Sequence, residues 1–193
     1  MTSSRRVLKV IFNWSDSLKN RSPQTVEKEL SRIIFYSFQG VNSLQRVPHL
    51  PNYAYLLLTK EKWWNRTVAQ SHSGKEVHTF VRKNAVGPID AEQLLFYVSH
   101  PAREIRGVGD FEERVAGEVE ELWRKYNNET VFESHEEYLD FLQGRKKATF
   151  IRFRNLCELH PPIPLKAVLR TIGVARLPRN GKYLSRELAN KLL

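Results

Sequence analysis

Short segments of alternating hydrophobic and polar residues recur along the chain, and this pattern predicts β-strands. The clearest is ATFIRFRNLCEL, in which Ile151 and Phe153 alternate with Arg152 and Arg154. Four further segments have a strand-like character: YAYLLLT from Tyr53, VHTFVRK from Val77, LLFYVSH from Leu94 and EIRGVGDFEERVAG from Glu104. With one more candidate near the N-terminus, the chain is expected to contain five or six short strands.

Helix-like patterns separate several of these strands. KEKWWNRTVAQ and GEVEELWRKY are two of them, and Ser134 with Glu137 forms a capping box for a third helix, which ends at Leu142. PLKAVLRTIG and SRELANKLL predict two short basic helices, which either form a small helix-turn-helix or cover the edge of the sheet. Because helices are inserted between strands without regular alternation, we predict an α+β fold, a small mixed or mainly antiparallel β-barrel decorated with helices.

The first 50 residues are predicted to form a separate N-terminal appendage. RRVLKVIFNW is strand-like, and Ser22 with Pro23 is typical of the start of a helix, whose pattern stops at Gly40. The segment VNSLQRVPHLPN, with its two prolines, indicates a linker. We therefore predict a strand–helix appendage at residues 1–50 and a main domain at residues 51–193, ending in the basic helices.

The formal charge of +10 is unevenly distributed along the chain. Residues 1–50 hold eight Lys and Arg against three Asp and Glu, residues 51–144 hold 11 against 16, and residues 145–193 hold 12 against two. Both ends of the sequence are thus basic, and the middle is acidic. Concentrated cationic side chains attract polyanions through phosphate contacts and counterion release, so we expect RNA or DNA as a partner.

Composition also argues against several kinds of protein. No apolar run reaches the roughly 20 residues needed to cross a bilayer, so no membrane association is expected. The single cysteine, Cys157, excludes an internal disulfide and a cysteine-cluster metal site, and it favours a cytoplasmic location. Its strand-like surroundings predict a buried thiol. The six histidines lack the paired spacing of a metal site, so we expect neither a metal nor another cofactor.

The succession of segments from Tyr53 onward resembles the PUA-like superfamily, in particular its ASCH-type domains and a related group of uncharacterised archaeal proteins. The resemblance covers residues 53–170 and depends on the GK turn before HTFVRK, the strand LLFYVSHP, the glycine-bearing strand GVGDFEE and the segment RKKATFIRFRNL. In the ASCH motif a glutamate and an arginine follow the lysine at three and five residues. Measured from Lys75, these positions hold His78 and Phe80, and Arg82 is a candidate replacement for the arginine.

The resemblance implies a cleft between the barrel and its helices that binds RNA or a modified nucleotide. Some relatives hydrolyse acylated nucleosides with a lysine, a threonine and a glutamate, and the resemblance implies Lys75, Thr79 and Glu104 for these roles. Ser99, His100 and Glu104 also invite a catalytic triad. No Gly-x-Ser-x-Gly sequence surrounds Ser99, however, so Ser-His-Pro is interpreted as a turn at a strand end.

Cationic, aromatic and hydroxyl side chains near the strand ends are candidates for nucleic-acid binding, because cations hold phosphates while aromatic rings stack on bases. Arg152 and Arg154 share one strand face and predict a phosphate-binding stripe. Of the adjacent Trp63 and Trp64, we expect one to enter the core and the other to cover the cleft or contact a partner. The predicted binding residues are Lys75, Thr79, Phe80, Arg82, Lys83, Ser99, His100, Arg103, Arg106, Arg145, Lys146, Lys147, Arg152 and Arg154.

We therefore favour a nucleic-acid-binding protein that recognises RNA, in preference to DNA, or a modified nucleotide through a basic cleft. One alternative is an enzyme, either a nucleoside amidohydrolase or a ribonuclease of ASCH type. A binding protein is favoured over an enzyme because the motif glutamate is missing. The other alternative is a protein-interaction module whose acidic helices at residues 112–140 meet the basic ends of a second copy.

Overall fold

A computed structural model describes residues 53–193 of the chain, and the appendage predicted at residues 1–50 lies outside these residues. The described part contains six strands, β1 (Ala54–Thr59), β2 (Val77–Arg82), β3 (Gln93–Val98), β4 (Glu104–Glu118), β5 (Lys147–Pro164) and β6 (Lys182–Leu184). They form one sheet in the order β2-β5-β4-β3-β1-β6. Neighbouring strands are antiparallel except β1 and β3, which run parallel. The mixed, mainly antiparallel sheet with its helices confirms the predicted α+β class, but the predicted closure into a barrel is not found among the described strands.

Helices are inserted between the strands, as the sequence predicts. The described helices are α1 (Glu61–His72), α2 (Val119–Tyr126), α3 (His135–Leu142), α4 (Leu165–Ile172) and α5 (Arg186–Leu192), and a 3-10 turn follows α2 at Asn127–Glu129. Helix α3 has the predicted cap, since the Ser134 hydroxyl accepts a 3.1 Å hydrogen bond from the backbone N–H of Glu137. Within residues 53–193, no helix is both long enough and apolar enough to traverse a bilayer.

The sheet is curved, but among the described strands it is not closed into a barrel. Its curvature brings Arg82 on β2 close enough to Tyr55 on β1 for each to affect the pKa of the other, although three strands lie between them in the sheet. Register shifts in the pairing of β4 with β5 allow the two long strands to bend. Closure would require β6 to pair with β2, but β6 is three residues long and pairs with β1.

Three clusters of buried side chains stabilise this arrangement. Helices α4 and α5 contribute Val168 and Ala189 to the first cluster, which covers β1 and β3. The basic C-terminal helices therefore cover the sheet, which was one of their two predicted arrangements. Helices α2 and α3 pack over β5 in the second cluster, where Tyr138 contacts Phe150. The third cluster contains Trp64 from α1.

Cys157 is exposed, which corrects the prediction of a buried thiol. It lies on β5 opposite Val108 of β4. Strand β2, the other neighbour of β5, pairs with it only as far as Arg154. Beyond Arg154, β5 pairs with β4 alone among the described strands. Cys157 lies in this part of β5, where no described strand covers the other edge.

Candidate active site

Thr79, Glu129 and Arg152 form a hydrogen-bonded cluster on one face of the sheet. Thr79 on β2 lies opposite Arg152 on β5, and Glu129 comes from the end of the 3-10 turn. The buried Thr79 hydroxyl donates a 2.8 Å hydrogen bond to Oε2 of Glu129. Arg152 binds the same carboxylate through both oxygens, from Nε to Oε2 and from Nη2 to Oε1, each at 2.7 Å. Bidentate pairing of this kind fixes the orientation of a carboxylate.

The environment keeps Glu129 ionised. Partial burial favours the protonated carboxyl group, but the hydrogen bonds from Arg152 and Thr79 and the positive charges of Arg152 and Lys75 outweigh it. The net effect is a lowered pKa for Glu129. A carboxylate has about four lone-pair directions, and three of them accept these hydrogen bonds. One direction therefore remains for a proton from a ligand.

Lys75, in the turn before β2, lies next to this carboxylate. Its Nζ donates to Oε1 of Gln70 at 2.9 Å and to the backbone carbonyl of Thr130, the residue after Glu129, at 3.1 Å. Burial lowers the pKa of Lys75, and the charge of Glu129 partly opposes this effect. Since an ammonium group has three N–H donors, one donor of Lys75 remains for a ligand.

Carboxylates neutralise the two arginines of the predicted phosphate stripe. Besides Glu129, Arg152 contacts Glu113 on β4, and its guanidinium lies 5.0 Å from the ring centre of Tyr126. The hydrogen bonds to these carboxylates raise the pKa of Arg152 further. Arg154 pairs with Glu112. Arg152 therefore orients Glu129, and neither arginine presents an unpaired cation to a phosphate.

His78, which holds the glutamate position of the ASCH motif, belongs to the core. It points to the face of β2 opposite to Thr79, because side chains alternate along a strand. The imidazole is 1% exposed and stacks on Phe153 with ring centres 5.4 Å apart. Burial, with the nearby charge of Lys75, lowers the pKa of His78 to about 4, so the ring is neutral at pH 7. The carboxylate beside Lys75 comes instead from Glu129, 54 residues further along the chain.

A cleft of about 310 Å³ adjoins the cluster and includes Thr79 in its wall. Its remaining lining is mostly apolar and contains four aromatic residues, and its polar members are Thr59, Thr67, Ser99 and the exposed Lys60 and Arg179. The four aromatic residues are Trp63, Phe80, Phe132 and Phe141. A cavity of this size, with an aromatic wall and a few polar groups, suits a flat ring that carries hydrogen-bonding groups.

The adjacent tryptophans divide as the sequence predicts. Trp64 is 3% exposed and packs on Phe96 in the core, with ring centres 5.7 Å apart. Trp63 lines the cleft. Its ring makes edge contacts with Phe132 and Phe141, with ring centres 5.2 and 5.8 Å apart. Helix α1 therefore supplies the Trp64 ring to the core and the Trp63 ring to the cleft.

The structure brings together some of the other predicted site residues and separates others. Phe80 and Ser99 line the cleft with Thr79, whereas the Arg82 guanidinium lies 5.7 Å from the centre of the Phe80 ring and is absent from the cleft lining. Lys83 lies with Arg145, Lys146 and Lys147 in a separate groove. Exposed turn positions after β3 hold His100 and Arg103.

Glu104 is not part of the cluster that contains Lys75 and Thr79. Its Oε1 accepts a 2.7 Å hydrogen bond from Arg106, which also binds Glu61 at 3.0 Å. The carboxylate that contacts Thr79 belongs instead to Glu129. Glu129 is one of 16 acidic residues in the segment 51–144, and nothing in the sequence distinguishes it from the others. Its pairing with Thr79 and Arg152 depends on contacts between distant segments, so the local pattern carries no signal for it.

Among the described residues, no group of three or more His, Cys, Asp or Glu side chains is arranged to hold a metal ion. The site offers three groups for chemistry: the ionised carboxylate of Glu129, the ammonium of Lys75 with its lowered pKa, and the buried hydroxyl of Thr79, which lines the cleft.

Comparison with known proteins identifies the fold. No family model matches the chain. A protein named ASCH domain-containing ribonuclease, from Zymomonas mobilis, is 28% identical over 121 residues, which are 63% of this chain and 80% of that protein. The crystal structure of ASCH from Zymomonas mobilis matches with a TM-score of 0.59 and 24% identity, and it covers 72% of this chain and 92% of that one. A structure of a serine-to-alanine ZmASCH mutant also has a TM-score of 0.59, at 23% identity, over 74% and 95% of the two chains.

Residues 53–193 thus have a fold similar to that of the ASCH structures from Zymomonas mobilis. This finding confirms the resemblance that the order of strands and helices indicates in the sequence.

Proposed function

We propose that this protein binds single-stranded RNA in the cleft and cleaves it at the Lys75–Thr79–Glu129 cluster. The observation that carries the proposal is the position of Thr79, which belongs both to the wall of the cleft and to the hydrogen-bonded cluster. A ligand ring seated in the cleft would hold its attached phosphate near an ammonium and a carboxylate. The name of the Zymomonas mobilis relative, an ASCH domain-containing ribonuclease, supports an RNA substrate.

The side chains suit cleavage by transfer of the phosphodiester to the neighbouring 2′-oxygen. Glu129, with one free lone-pair direction, takes the proton from the 2′-hydroxyl group while that oxygen forms a bond to phosphorus. The bond from phosphorus to the 5′-oxygen breaks, and the free N–H of Lys75 gives its proton to this leaving oxygen. The products are a 2′,3′-cyclic phosphate and a 5′-hydroxyl end. No water is consumed, and the proton gained by Glu129 balances the proton lost by Lys75.

Two other groups support this chemistry without exchanging protons. Arg152 and Thr79 hold the Glu129 carboxylate in one orientation, and the lowered pKa of Glu129 ensures that it is ionised before the reaction.

Lys75 also stabilises the negative charge that develops on the phosphoryl oxygens, an effect that is strong because the ammonium is partly buried. The aromatic wall of the cleft stacks on a base, and its small volume excludes double-stranded RNA.

The proposal is tested by incubating a 12-nucleotide single-stranded RNA with the full-length protein and with Lys75→Ala. We expect the wild-type protein to produce fragments ending in a 2′,3′-cyclic phosphate, identified by mass spectrometry, and Lys75→Ala to lose cleavage by 100-fold or more. Lys166→Ala, on the exposed side of α4, is the control and should cleave at the wild-type rate. Equal cleavage by Lys75→Ala and the wild type would contradict the proposal.

A second candidate is a nucleoside amidohydrolase. It is favoured by the meeting of a lysine, a threonine and a glutamate, the three residue types that the family resemblance associates with hydrolysis of acylated nucleosides. In that reaction the Thr79 hydroxyl, which lines the cleft, is held by Glu129, and the charge of Lys75 acts on the same carboxylate. The two candidates are separated by incubation with N4-acetylcytidine, because only the amidohydrolase releases acetate and cytidine from it.

A further inference from the structure

A second concave surface lies beside the cleft and is strongly basic. We call it the basic groove, and it is defined by Lys83 directly after β2, Arg145 and Lys146 before β5, Lys147 at the start of β5, and Ala116 and Gly117 on β4. Its volume is about 500 Å³. No aspartate or glutamate lines it among the described residues, although residues 51–144 as a whole are acidic.

The cations of the groove are only weakly compensated by neighbouring carboxylates. Lys147 lies 3.7 Å from Glu118, in a pair whose side chains are 78% and 53% exposed, so solvent screens it strongly. Lys83 donates a 2.7 Å hydrogen bond to the neutral side chain of Gln143. Arg145 and Lys146 are exposed. This environment differs from that of Arg152 and Arg154, whose charges are neutralised by carboxylates in direct contact.

The basic groove and the cleft meet at one contact. The ammonium of Lys83, in the groove, lies 5.0 Å from the ring centre of Phe141, and Phe141 lines the cleft. A chain molecule whose ring occupies the cleft therefore passes over Lys83 when it continues into the groove. The spacing of charges along a nucleic-acid backbone suits this path, since each nucleotide adds one phosphate.

We propose that the basic groove binds the phosphates that flank the nucleotide in the cleft, so that the substrate is a single-stranded polynucleotide several residues long and not a mononucleotide or nucleoside. This inference rests on the proposed RNA-binding function and specifies its substrate class. Phosphate contacts by exposed cations release counterions, which makes the length-dependent part of the affinity sensitive to salt. The cleft selects a base, and the groove adds affinity for the neighbouring backbone.

The test compares two variants that each remove three positive charges. One is Arg145→Ala/Lys146→Ala/Lys147→Ala, in the groove. The other is Lys166→Ala/Arg170→Ala/Arg176→Ala, at exposed positions on and after α4. Binding of a fluorescent 12-nucleotide RNA is measured by anisotropy between 50 and 300 mM KCl, with a dinucleotide and a 12-nucleotide RNA as parallel cleavage substrates. Circular dichroism establishes that all proteins are folded.

We expect the groove variant to reduce the slope of log Kd against log salt by about 2, since each phosphate contact to a single strand contributes about 0.7. Its preference for the 12-nucleotide RNA over the dinucleotide, expressed as a ratio of kcat/KM values, should fall at least tenfold. The control variant should retain the slope and the ratio of the wild type.

The outcomes distinguish this inference from the proposed function. A wild-type slope and length preference in the groove variant would overturn the inference even if the protein cleaves RNA. If the wild type binds RNA without cleaving it and the groove variant alone loses the salt-dependent affinity, the inference holds and the ribonuclease function fails. Equal losses in both triple variants, or equal competition by polyglutamate of the same charge, would overturn it, because the groove would then respond to any polyanion.

Discussion

The hydroxyl of Thr79 donates a 2.8 Å hydrogen bond to the carboxylate of Glu129, a residue 50 positions away in the chain. This bond connects strand β2 to the 3-10 turn after α2, and its donor, Thr79, also lines the aromatic cleft. Arg152 fixes the same carboxylate from β5, and the positive charge of Lys75 helps to lower its pKa. The proposed catalytic groups and the arginine that orients Glu129 thus come from three separate segments of the chain, and their proximity depends on the fold.

The first prediction concerns the pH dependence of RNA cleavage. Lys75 is proposed to act as an ammonium, and burial lowers its pKa from the ordinary lysine value of 10.5. Turnover is expected to be constant near pH 7 and to decline at alkaline pH, with a midpoint below 10.5, as Lys75 loses its proton. In Lys75→Arg the guanidinium stays protonated, so the slower variant should lack this decline. The pH dependence of kcat for both proteins is the measurement.

Glu129 defines the acidic side of the same profile. Since its pKa is lowered from 4.5, turnover should not decline until the pH is below that value.

An alkaline decline of the same midpoint in Lys75→Arg and in the wild type would contradict the assignment of Lys75 as the proton donor.

The second prediction concerns stability and follows from His78. The unfolded chain protonates this residue near pH 6.5, whereas the folded protein resists protonation until about pH 4. Between these values the unfolded state binds more protons, so acidification from pH 7 to pH 4 destabilises the fold, by about 3 kcal/mol from this group. In His78→Leu this contribution should be absent. Urea unfolding at both pH values gives the comparison.

The exposed His100 supplies the control for that experiment. His100→Ala should lose as much stability on acidification as the wild type. If His78→Leu and the wild type show the same difference between pH 7 and pH 4, the core position of His78 does not determine the acid sensitivity.

The third prediction separates the two tryptophans of α1. Trp63→Ala should weaken binding of AMP about tenfold, measured by calorimetry, because stacking on an aromatic ring contributes about 1–3 kcal/mol per base. Trp64→Ala should reduce the free energy of unfolding by about 3–5 kcal/mol, because it removes a large buried ring. We expect the loss of stability in Trp63→Ala to be the smaller of the two. Equal AMP affinity in Trp63→Ala and the wild type would argue against base binding in the cleft.

Local pattern was sufficient for much of the fold. The alternation around Ile151, the capping box at Ser134 and the divergent faces of Trp63 and Trp64 each depend on residues close together in sequence. Features set by the ends of neighbouring strands were predicted less well. Cys157 is exposed because β2 stops pairing near Arg154, and the sheet remains open because β6 is short.

The candidate site was only partly predictable, for a related reason. Lys75 and Thr79 lie within five residues of each other in a turn and strand, so their proximity follows from the sequence. Their carboxylate partner does not. Glu104 and Glu129 are both acidic residues of the middle segment, and only the fold determines that Glu104 pairs with Arg106 while Glu129 reaches Thr79.

The most direct test of the account compares the two carboxylates in one assay. Turnover of a 12-nucleotide RNA is measured for Glu129→Gln and Glu104→Gln, with the free energy of unfolding of each variant determined in parallel. We expect Glu129→Gln to lose turnover by 100-fold or more while it still binds RNA, and Glu104→Gln to retain turnover within a few-fold of the wild type. Full turnover in Glu129→Gln, or a selective loss in Glu104→Gln, would contradict this expectation.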